Sequence, residues 1–508
     1  MVKDATLDAI KAVAPMVGPV PSAARRGIES FYKDNLHAEP SLRRCLGLSC
    51  MLSRITDQSN QEEGDVAGEQ PVYCLGYCDQ SPVSLGQDGR VQTGVASQPA
   101  LVPNIRCEAR RPVVTERLCK GDHSVLHAAQ AAGVYDTLKS WVKAYKPEAL
   151  LNTVIDSGER GRGGAGFLTG EKWRLCALAS GSHKVVIANG DEGDPGSYID
   201  RLLLEHDPHA VIEGLALCAF AVGAAYGIIY VRSEYPEAFA RIEQAVADAS
   251  AAGIIGTAVE NPAFAFSVEV VSGHGSYVCG EESALINAIE GRRGEVRLRP
   301  PYPVEQGLFG LPTVVNNVET LINIPWIARH GAAAYRALGT DEAQGTKAMC
   351  LNHGFAKPGI IEVEFGTPLR QVIEAFGGGG ADGQVIEAVA LGGPMGSILT
   401  DAQWDVPVGY LSMHEQGIEL GHGGLVALLA GTDYRAVIRH WLAFMAEESC
   451  GRCVACRSGS RQALTLAATP NKTREALEAL LEVIMAGSLC AFGRNIPRPV
   501  KQLLTLMD

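Results

Sequence analysis

Ser157-Gly-Glu-Arg-Gly-Arg-Gly-Gly-Ala-Gly-Phe-Leu-Thr-Gly-Glu-Lys-Trp173 packs six glycines and three cationic side chains into seventeen residues. Glycine lets a backbone pass through φ > 0 and bring its N–H groups close to a bound group, so a loop of this kind suits phosphate. Gly161-Arg-Gly-Gly-Ala-Gly166 satisfies G-x-G-x-x-G, a pattern that carries weight only after a strand and before a helix. The preceding Ala149-Leu-Leu-Asn-Thr-Val-Ile155 reads equally well as a helix end, which leaves a glycine-rich surface loop as the alternative.

Working outward, 508 residues imply several domains at about 150 residues each. Hydrophobic content of 46% and charged content of 20% describe a globular protein with cores of ordinary size. A formal charge of -13, with no basic tract, opposes binding to nucleic acid or to anionic membranes. Gly214–Val231 has the length of a membrane span. Its Gly and Ala content, its flanks Glu213 and Arg232 and its change of character at Gly223 predict instead a helix followed by the buried strand Ala225–Val231. Lys3 and Asp4 precede no long apolar stretch, so no secretory signal is expected and the chain is expected to be cytoplasmic. In a reducing compartment, grouped cysteines among the fourteen point to metal ligation or redox chemistry.

Residues 1 to about 40 read as helical, with Leu7, Ile10, Val13, Ile28, Phe31 and Tyr32 as buried positions. Cys45-x4-Cys50 and Cys74-x3-Cys78 follow, a spacing that can hold a [2Fe–2S] cluster on two adjacent loops. Only 23 residues separate the pairs, so a degenerate domain that kept its thiols is the alternative. Residues 53–70 read as a polar, acidic loop and 98–104 as a linker; isolated Cys107, Cys119, Cys176, Cys218, Cys279 and Cys350 read as free thiols.

Lys184–Ala188 reads as a short strand that ends in Asn189-Gly-Asp-Glu-Gly-Asp-Pro-Gly196, and α/β folds place ligand chemistry at such strand ends. The run lacks the ligand spacing of an EF-hand, which favours hydrogen bonding to ribose or a ring system over calcium. Gly273–Glu282 delivers two adjacent carboxylates at a helix start, where they also serve as helix-dipole partners. Arg297–Tyr302 and Thr313–Thr320 add a cationic turn and an Asn pair. Together with the glycine-rich loop these segments look like the walls of one site on a common sheet edge. Residues 345–400 read as strands around a helix at Pro368–Phe376, a small β-grasp module. Near the end, Cys450-x2-Cys453-x2-Cys456 and the distant Cys490 have the ligand arithmetic of a [4Fe–4S] cluster; structural zinc more often uses two separated C-x2-C pairs.

These segments, in this order, resemble the NADH-oxidising flavoprotein subunits of complex I and their relatives in NAD-reducing hydrogenases and soluble NAD-dependent formate dehydrogenases, over about residues 120–508. The N-terminal thiol pairs resemble the thioredoxin-like [2Fe–2S] subunit that accompanies that flavoprotein. A shortened domain of that type fused to the flavoprotein looks most like the β (diaphorase) subunit of a molybdenum formate dehydrogenase. The resemblance implies an α/β chain with a thioredoxin-like [2Fe–2S]-type domain at 1–100, a Rossmann-like FMN- and NAD(H)-binding domain at 120–335, a β-grasp (ubiquitin-like) module at 340–430 and a C-terminal helical [4Fe–4S] bundle at 434–508.

It further implies FMN on Gly161, Gly163, Lys172, Asn189, Asp191, Glu192, Gly280, Glu281, Asn316, Asn317 and Thr320. NAD(H) is implied over the flavin, with Phe167 and Tyr302 stacking the adenine, Glu282 and Asp194 as polar contacts and Arg299 near the pyrophosphate. The implied cluster ligands are Cys450, Cys453, Cys456 and Cys490 for [4Fe–4S], and Cys45, Cys50, Cys74 and Cys78 for the [2Fe–2S] cluster if one is bound. Three positions depart from the family pattern: Leu175 where an aromatic is frequent, Asp194 for Glu and Arg299 for Lys. The implied partners are a molybdenum/iron–sulfur catalytic subunit and a small [2Fe–2S] subunit in a hetero-oligomer. The implied reaction is hydride exchange between nicotinamide and flavin, then one-electron transfer to the cluster. The rival readings are a hydrogenase or complex I diaphorase and, from another class, a non-catalytic electron-transfer scaffold.

Overall fold

The computed structural model describes residues 5–14, 22–36, 42–56, 69–94, 98–256, 264–468 and 470–507. It is a mixed α/β structure. At its centre four parallel strands lie in the order Thr313–Asn317, Val185–Gly190, Tyr226–Val231, Ser267–Ser272. Side chains alternate across a strand, so one face takes Val186, Ala188, Ile229, Val231 and Val314. Val185, Ile187, Ile228, Tyr230 and Val315 supply the other. Both faces are covered, which is why the two inner strands, Val185–Gly190 and Tyr226–Val231, are largely apolar in sequence.

The apolar stretch at Gly214–Val231 resolves into the end of the helix Pro208–Val222 and the strand Tyr226–Val231, with Gly223 at φ 76 between them. Every residue of Pro208–Val222 is buried, so it has no polar stripe. Among the described residues no helix is long and apolar enough to cross a membrane. A Cβ at Gly214 would lie 2.1 Å from the Leu321 carbonyl oxygen, so only glycine lets this helix pack so closely on Val318–His330.

The N-terminal helices Ala5–Val13, Ser22–Glu29 and Lys33–Leu36 cover the other face of the parallel sheet. Ile10 and Tyr32 are fully packed there, and Leu7, Val13, Ile28 and Phe31 pack partly. This stretch, counted in sequence with the thiol-bearing segment, therefore builds the core of the parallel sheet. The thiol segment has its own five-stranded sheet, in the order Glu69–Val72, Leu42–Cys45, Val83–Gly86, Val91–Thr93, Gln98–Pro99. Of the loop read at 53–70, residues 53–56 finish the helix Leu48–Thr56 and 69–70 open a strand; 57–68 lie outside the described residues.

Six strands form the third sheet, in the order Ser397–Thr400, Ile386–Leu391, Gly424–Leu429, Thr346–Leu351, Gly359–Glu364, Ile105–Cys107. The linker read at 98–104 opens with the strand Gln98–Pro99, and just beyond it Ile105–Cys107 pairs in parallel with Gly359–Glu364. Buried Glu362 holds this segment in place. Its carboxylate accepts from the Val113, Val114 and Thr115 backbone N–H groups at 2.7, 3.0 and 2.8 Å and from the Thr115 and Thr346 hydroxyls. Such charge-assisted bonds compensate its lost hydration. The helix expected at 368–376 is present as the wide-turned segment Gln371–Phe376. Helices Tyr434–Glu448, Val454–Ala467, Pro470–Gly487, Ala491–Asn495 and Pro497–Leu506 complete the chain around Trp441, Leu442, Met445, Leu477, Leu481 and Leu503.

Candidate functional site

The glycine-rich loop joins the helix Pro147–Ser157 to the helix Thr169–Leu178. It follows a helix and not a strand, so it lies outside the strand–turn–helix context of a dinucleotide-binding fold despite its G-x-G-x-x-G. Two of its three cations are internal. Arg162 is fully buried, paired with Glu159 at 2.6 Å, bonded to the Tyr335 hydroxyl at 2.7 Å and stacked 4.6 Å above the Phe365 ring. Glu159 also accepts from Tyr335 and, at 2.9 Å, from Asn323. Arg160 donates to the Gly166 carbonyl at 2.9 Å. The arginines therefore shape the loop, while Arg160 Nε and Arg162 Nη1 are buried with no hydrogen-bond partner among the described residues.

The loop crest reaches the other predicted segments. Arg162 N–H donates to the Thr320 hydroxyl at 2.8 Å, and a Cβ on Gly163 would stand 3.4 Å from that of Asn317. Asn317 caps the helix Val318–His330 by accepting from Thr320 N–H at 3.2 Å, while its amide donates to Asp200. Gly161 N–H donates to the Phe167 carbonyl, so it closes the loop internally. Lys172 Nζ donates to the Val315 carbonyl at 2.9 Å and lies 3.8 Å from Glu282. Glu282 is 3.0 Å from Arg299, which also bonds Glu281 and lies 6.0 Å from the Tyr302 ring. Phe167 and Tyr302 are each 51% exposed, large apolar rings left open where stacking is expected.

At the end of Val185–Gly190, Asn189 donates to the Gly280 carbonyl at 2.9 Å and accepts from Asp191 N–H at 3.1 Å. Among the described residues Asp191 Oδ2 is buried without a hydrogen-bond partner, and a Cβ on Gly280 would sit 3.3 Å from it. Burial pushes this carboxyl well above its usual range. An orphaned buried acceptor beside a glycine fits a site that expects hydroxyl or ring N–H donors from a ligand. Glu192 is saturated: it accepts from Ser197 at 2.8 Å, Asp200 N–H at 3.1 Å and Arg201 N–H at 2.9 Å, and burial raises it to about 7. Asp194, raised by burial to about 6, accepts from the Tyr277 hydroxyl. Glu281 caps the helix Glu282–Ile289 through Ser283 and Ala284 N–H, both at 3.0 Å, so one of its oxygens is structural. Asn316 is buried and points its amide at Cys218 Sγ, 3.6 Å away.

Sequence reading missed one neighbour of the loop. Gly421, in the turn Gly421-His-Gly-Gly424, lies 3.6 Å from a Cβ built on Gly164, so the 346–429 sheet borders the glycine-rich loop. Behind this turn His422 meets Ser197, Glu192 and Asp200. The glycine run around His422 was the available signal.

The sulfur sites are separate. Cys450 follows the helix Tyr434–Glu448, Cys453 precedes Val454–Ala467, Cys456 lies in the first turn of that helix and Cys490 precedes Ala491–Asn495. Burial raises Cys456 to about 12 and Cys490 to about 11, and each also feels Cys450. The Arg293 guanidinium donates to the Cys450 carbonyl at 2.8 Å. Thiols that feel one another, with the Arg293 guanidinium alongside, fit an iron–sulfur cluster, which binds thiolates. Tyr277 connects the two regions: its ring is 4.9 Å from Phe444 and 5.6 Å from Phe492.

In the N-terminal thiol segment, Cys45, Cys50, Cys74 and Cys78 are at most 3% exposed. Cys74 Sγ is 3.8 Å from Cys78 Sγ, and Cys74 is pushed well below the usual thiol range, first by its hydrogen bond with Cys45 and next by that with Cys78. Gly76, at φ 75, lets the Cys74–Cys78 turn fit against Tyr235. Arg201 fastens it by donating to the Gly76 carbonyl at 2.9 Å while its guanidinium covers the Tyr77 ring at 3.6 Å.

An edge of a parallel sheet walled by a glycine loop, an acidic loop and a carboxylate-bearing helix start, beside a four-thiol helical end, defines a nucleotide-type flavoprotein with an iron–sulfur centre. Residues 154–326 match the Nuo51 FMN-binding domain, and 436–507 match the NADH-ubiquinone oxidoreductase-F iron–sulfur binding region. The chain is 37% identical to an NADH-quinone oxidoreductase subunit of Rhizobium meliloti (strain 1021), over 75% of this chain and 92% of that protein. It is 39% identical to NADP-reducing hydrogenase subunit HndC of Solidesulfovibrio fructosivorans, over 71% and 74%. A chain of an NAD+-reducing [NiFe]-hydrogenase, solved in the H2-reduced state, superposes with a TM-score of 0.82 at 29% identity, covering 99% of this chain and 88% of that one. The protein belongs to the 51 kDa-type NADH-binding flavoprotein subunits and carries their FMN- and NADH-binding domain and [4Fe–4S] region.

Proposed function

We propose that the chain is the NAD(H):FMN diaphorase subunit of a multisubunit oxidoreductase, and that it reduces NAD+ with electrons from formate oxidised in a partner molybdenum/iron–sulfur subunit. A small [2Fe–2S] subunit completes the hetero-oligomer. The observation that carries the diaphorase reading is the convergence of the loop at Gly161–Gly166, Asn189–Asp194, Gly280–Glu282 and Asn316–Thr320 on one sheet edge, with Asp191 Oδ2 left without a partner. FMN, when bound, supplies the exchange between two-electron hydride chemistry and one-electron transfer.

The chain's own residues supply position and field. Gly161 and Gly163 leave room for a phosphate, Lys172 balances its charge, and Asn189, Asp191, Glu192, Gly280, Glu281, Asn316, Asn317 and Thr320 frame the ribityl chain and ring. Phe167 and Tyr302 hold the adenine, Arg299 the pyrophosphate, and Glu282 and Asp194 the remaining polar groups of NAD(H). Cys450, Cys453, Cys456 and Cys490 ligate the [4Fe–4S] cluster. The gathered, buried thiols of Cys45, Cys50, Cys74 and Cys78 support a [2Fe–2S] cluster over a degenerate domain, because isolated buried thiols have no reason to share one pocket.

Bleaching of bound flavin by NADH, with NADH–ferricyanide activity, tests the diaphorase reading; a purified chain with neither is a scaffold. Iron content and EPR of Cys45→Ser beside Cys453→Ser separate one cluster from two. Full-length likeness to a chain of an NAD+-reducing hydrogenase supports a second reading, with a hydrogenase partner in place of the molybdenum subunit. Molybdenum against nickel in the complex purified through this chain decides between them.

A further inference from the structure

Glu192, Asp200 and His422 place ligand-capable atoms within 4.8 Å of one another. A cation is a poor occupant, because the carboxylates are already satisfied. Glu192 accepts from Ser197, Asp200 N–H and Arg201 N–H, and Asp200 accepts from Asn317 and, at 3.0 Å, from Glu319 N–H. What remains is a line of exchangeable protons. The Ser197 hydroxyl donates to Glu192 Oε1 at 2.8 Å and lies 3.5 Å from His422 Nδ1. His422 is part-exposed, whereas Glu192 is 2% exposed.

The chemistry has a use for such a line. NADH oxidation by one-electron acceptors follows NADH → NAD+ + H+ + 2e−, so each pair of electrons leaves one proton at the site, and NAD+ reduction consumes one. Where bound ligands shelter the site from water, a fixed line of donors and acceptors carries that proton. We propose that Glu192, Ser197 and His422 form a proton relay of the flavin site, running from the buried Glu192 carboxylate through the Ser197 hydroxyl to the His422 imidazole. The relay rests on the flavoprotein reading above.

Its surroundings suit this use. Burial sets Glu192 at about 7, so it both takes up and gives up a proton near neutral pH, and burial holds His422 neutral with its pKa down at about 3. Arg201 and Asp200 face Glu192 from the helix Ile199–His206; Tyr235 lies 3.4 Å from its carboxylate, and Arg232 donates to its main-chain carbonyl at 2.6 Å. Lys347 faces His422 and is itself paired with Glu319 at 2.5 Å. A neutral imidazole passes a proton by taking it on one nitrogen and releasing it from the other, with no need to store charge beside Lys347.

The test uses Ser197→Ala and His422→Gln in the purified holoenzyme, with flavin content and melting temperature as controls. Single-turnover bleaching by NADH is expected at the wild-type rate. Steady-state NADH–ferricyanide turnover is expected to fall on the order of a hundredfold, the low end of what a positioned proton-transfer group contributes. The slowed turnover should acquire a solvent deuterium isotope effect that wild type lacks. Wild-type turnover with no new isotope effect overturns the relay, as does a loss that follows flavin content alone. Should both variants misfold, redox-difference infrared spectra of the wild type decide. A carboxylic-acid carbonyl band that changes on NADH reduction and shifts in D2O supports the relay, and its absence overturns it. Failure of bleaching in the wild type defeats the flavoprotein reading itself; normal bleaching with unaltered proton kinetics defeats only the relay.

Discussion

Gly163→Ala separates a ligand-binding role for the glycine-rich loop from a purely structural one. Gly163 is exposed, its φ is not in the left-handed region, and an added Cβ meets nothing nearer than the Asn317 Cβ at 3.4 Å, an ordinary contact. Folding stability is therefore expected to change by no more than about 0.5 kcal/mol, as at a surface site without special geometry. The new methyl does project toward Asn317, into the space assigned to the flavin and its phosphate. Overpacking of a fitted site costs about 1–3 kcal/mol, which corresponds to about 5- to 150-fold weaker FMN binding. Gly164→Ala is the contrasting variant: φ 111 strains any side chain, so it should lower the melting temperature as well. The assay is quenching of FMN fluorescence on titration of the flavin-free chain, beside thermal melts. An unchanged Kd in a Gly163→Ala protein of unchanged melting temperature refutes the phosphate-loop assignment.

Gly214→Ala drives a methyl to 2.1 Å from the Leu321 carbonyl, a clash with backbone, and should cost about 3 kcal/mol or more, read as a lowered melting temperature; a neutral result would mean that the two helices separate freely. Lys347→Met leaves Glu319 charged and buried and should cost about 3–5 kcal/mol in urea denaturation, with part recovered by adding Glu319→Gln; equal losses in the single and double variants would contradict this. Asp194 has a pKa near 6 when folded against 3.8 when free. Its raised folded value means the native state holds the proton more tightly, so its stabilising contribution is complete below about pH 4 and is lost as pH rises through about 6. Asp194→Asn should remove that loss and gain up to about 3 kcal/mol relative to wild type at about pH 7.5 but little near pH 4. Parallel stability–pH curves for the two proteins would refute it.

Much of the site was legible because it is written in short local runs. Asn189–Gly196 follows an apolar strand, and Gly280–Glu282 precedes a helix, so residue type and position already put these side chains at element ends. The spacing of Cys450, Cys453 and Cys456 works similarly, since thiols three residues apart in a turn that enters a helix can share a cluster. Other features were not legible. The two loop arginines look like phosphate ligands in sequence, yet Arg162 is consumed by Glu159, Tyr335 and Phe365; Tyr335 and Phe365 lie far along the chain. The helices at 5–36 look like part of the thiol-bearing domain by adjacency alone, yet their apolar side chains complete the core of the parallel sheet.

The sequence by itself determined the chemistry available: a glycine loop, acidic and amide-bearing strand ends, and two sets of four thiols, each set by residue types whose function depends on near neighbours in the chain. Only the tertiary structure decided which of these meet. The loop at Gly161–Gly166 touches Asn317 and Thr320 more than 150 residues away, and Gly421 approaches it from the turn before the strand Gly424–Leu429. The physical reason is that local pattern specifies turns, caps and periodicity within a few residues. Contacts between distant segments are selected by the burial of whole apolar faces, such as the two sides of the parallel sheet, and no short stretch encodes that selection.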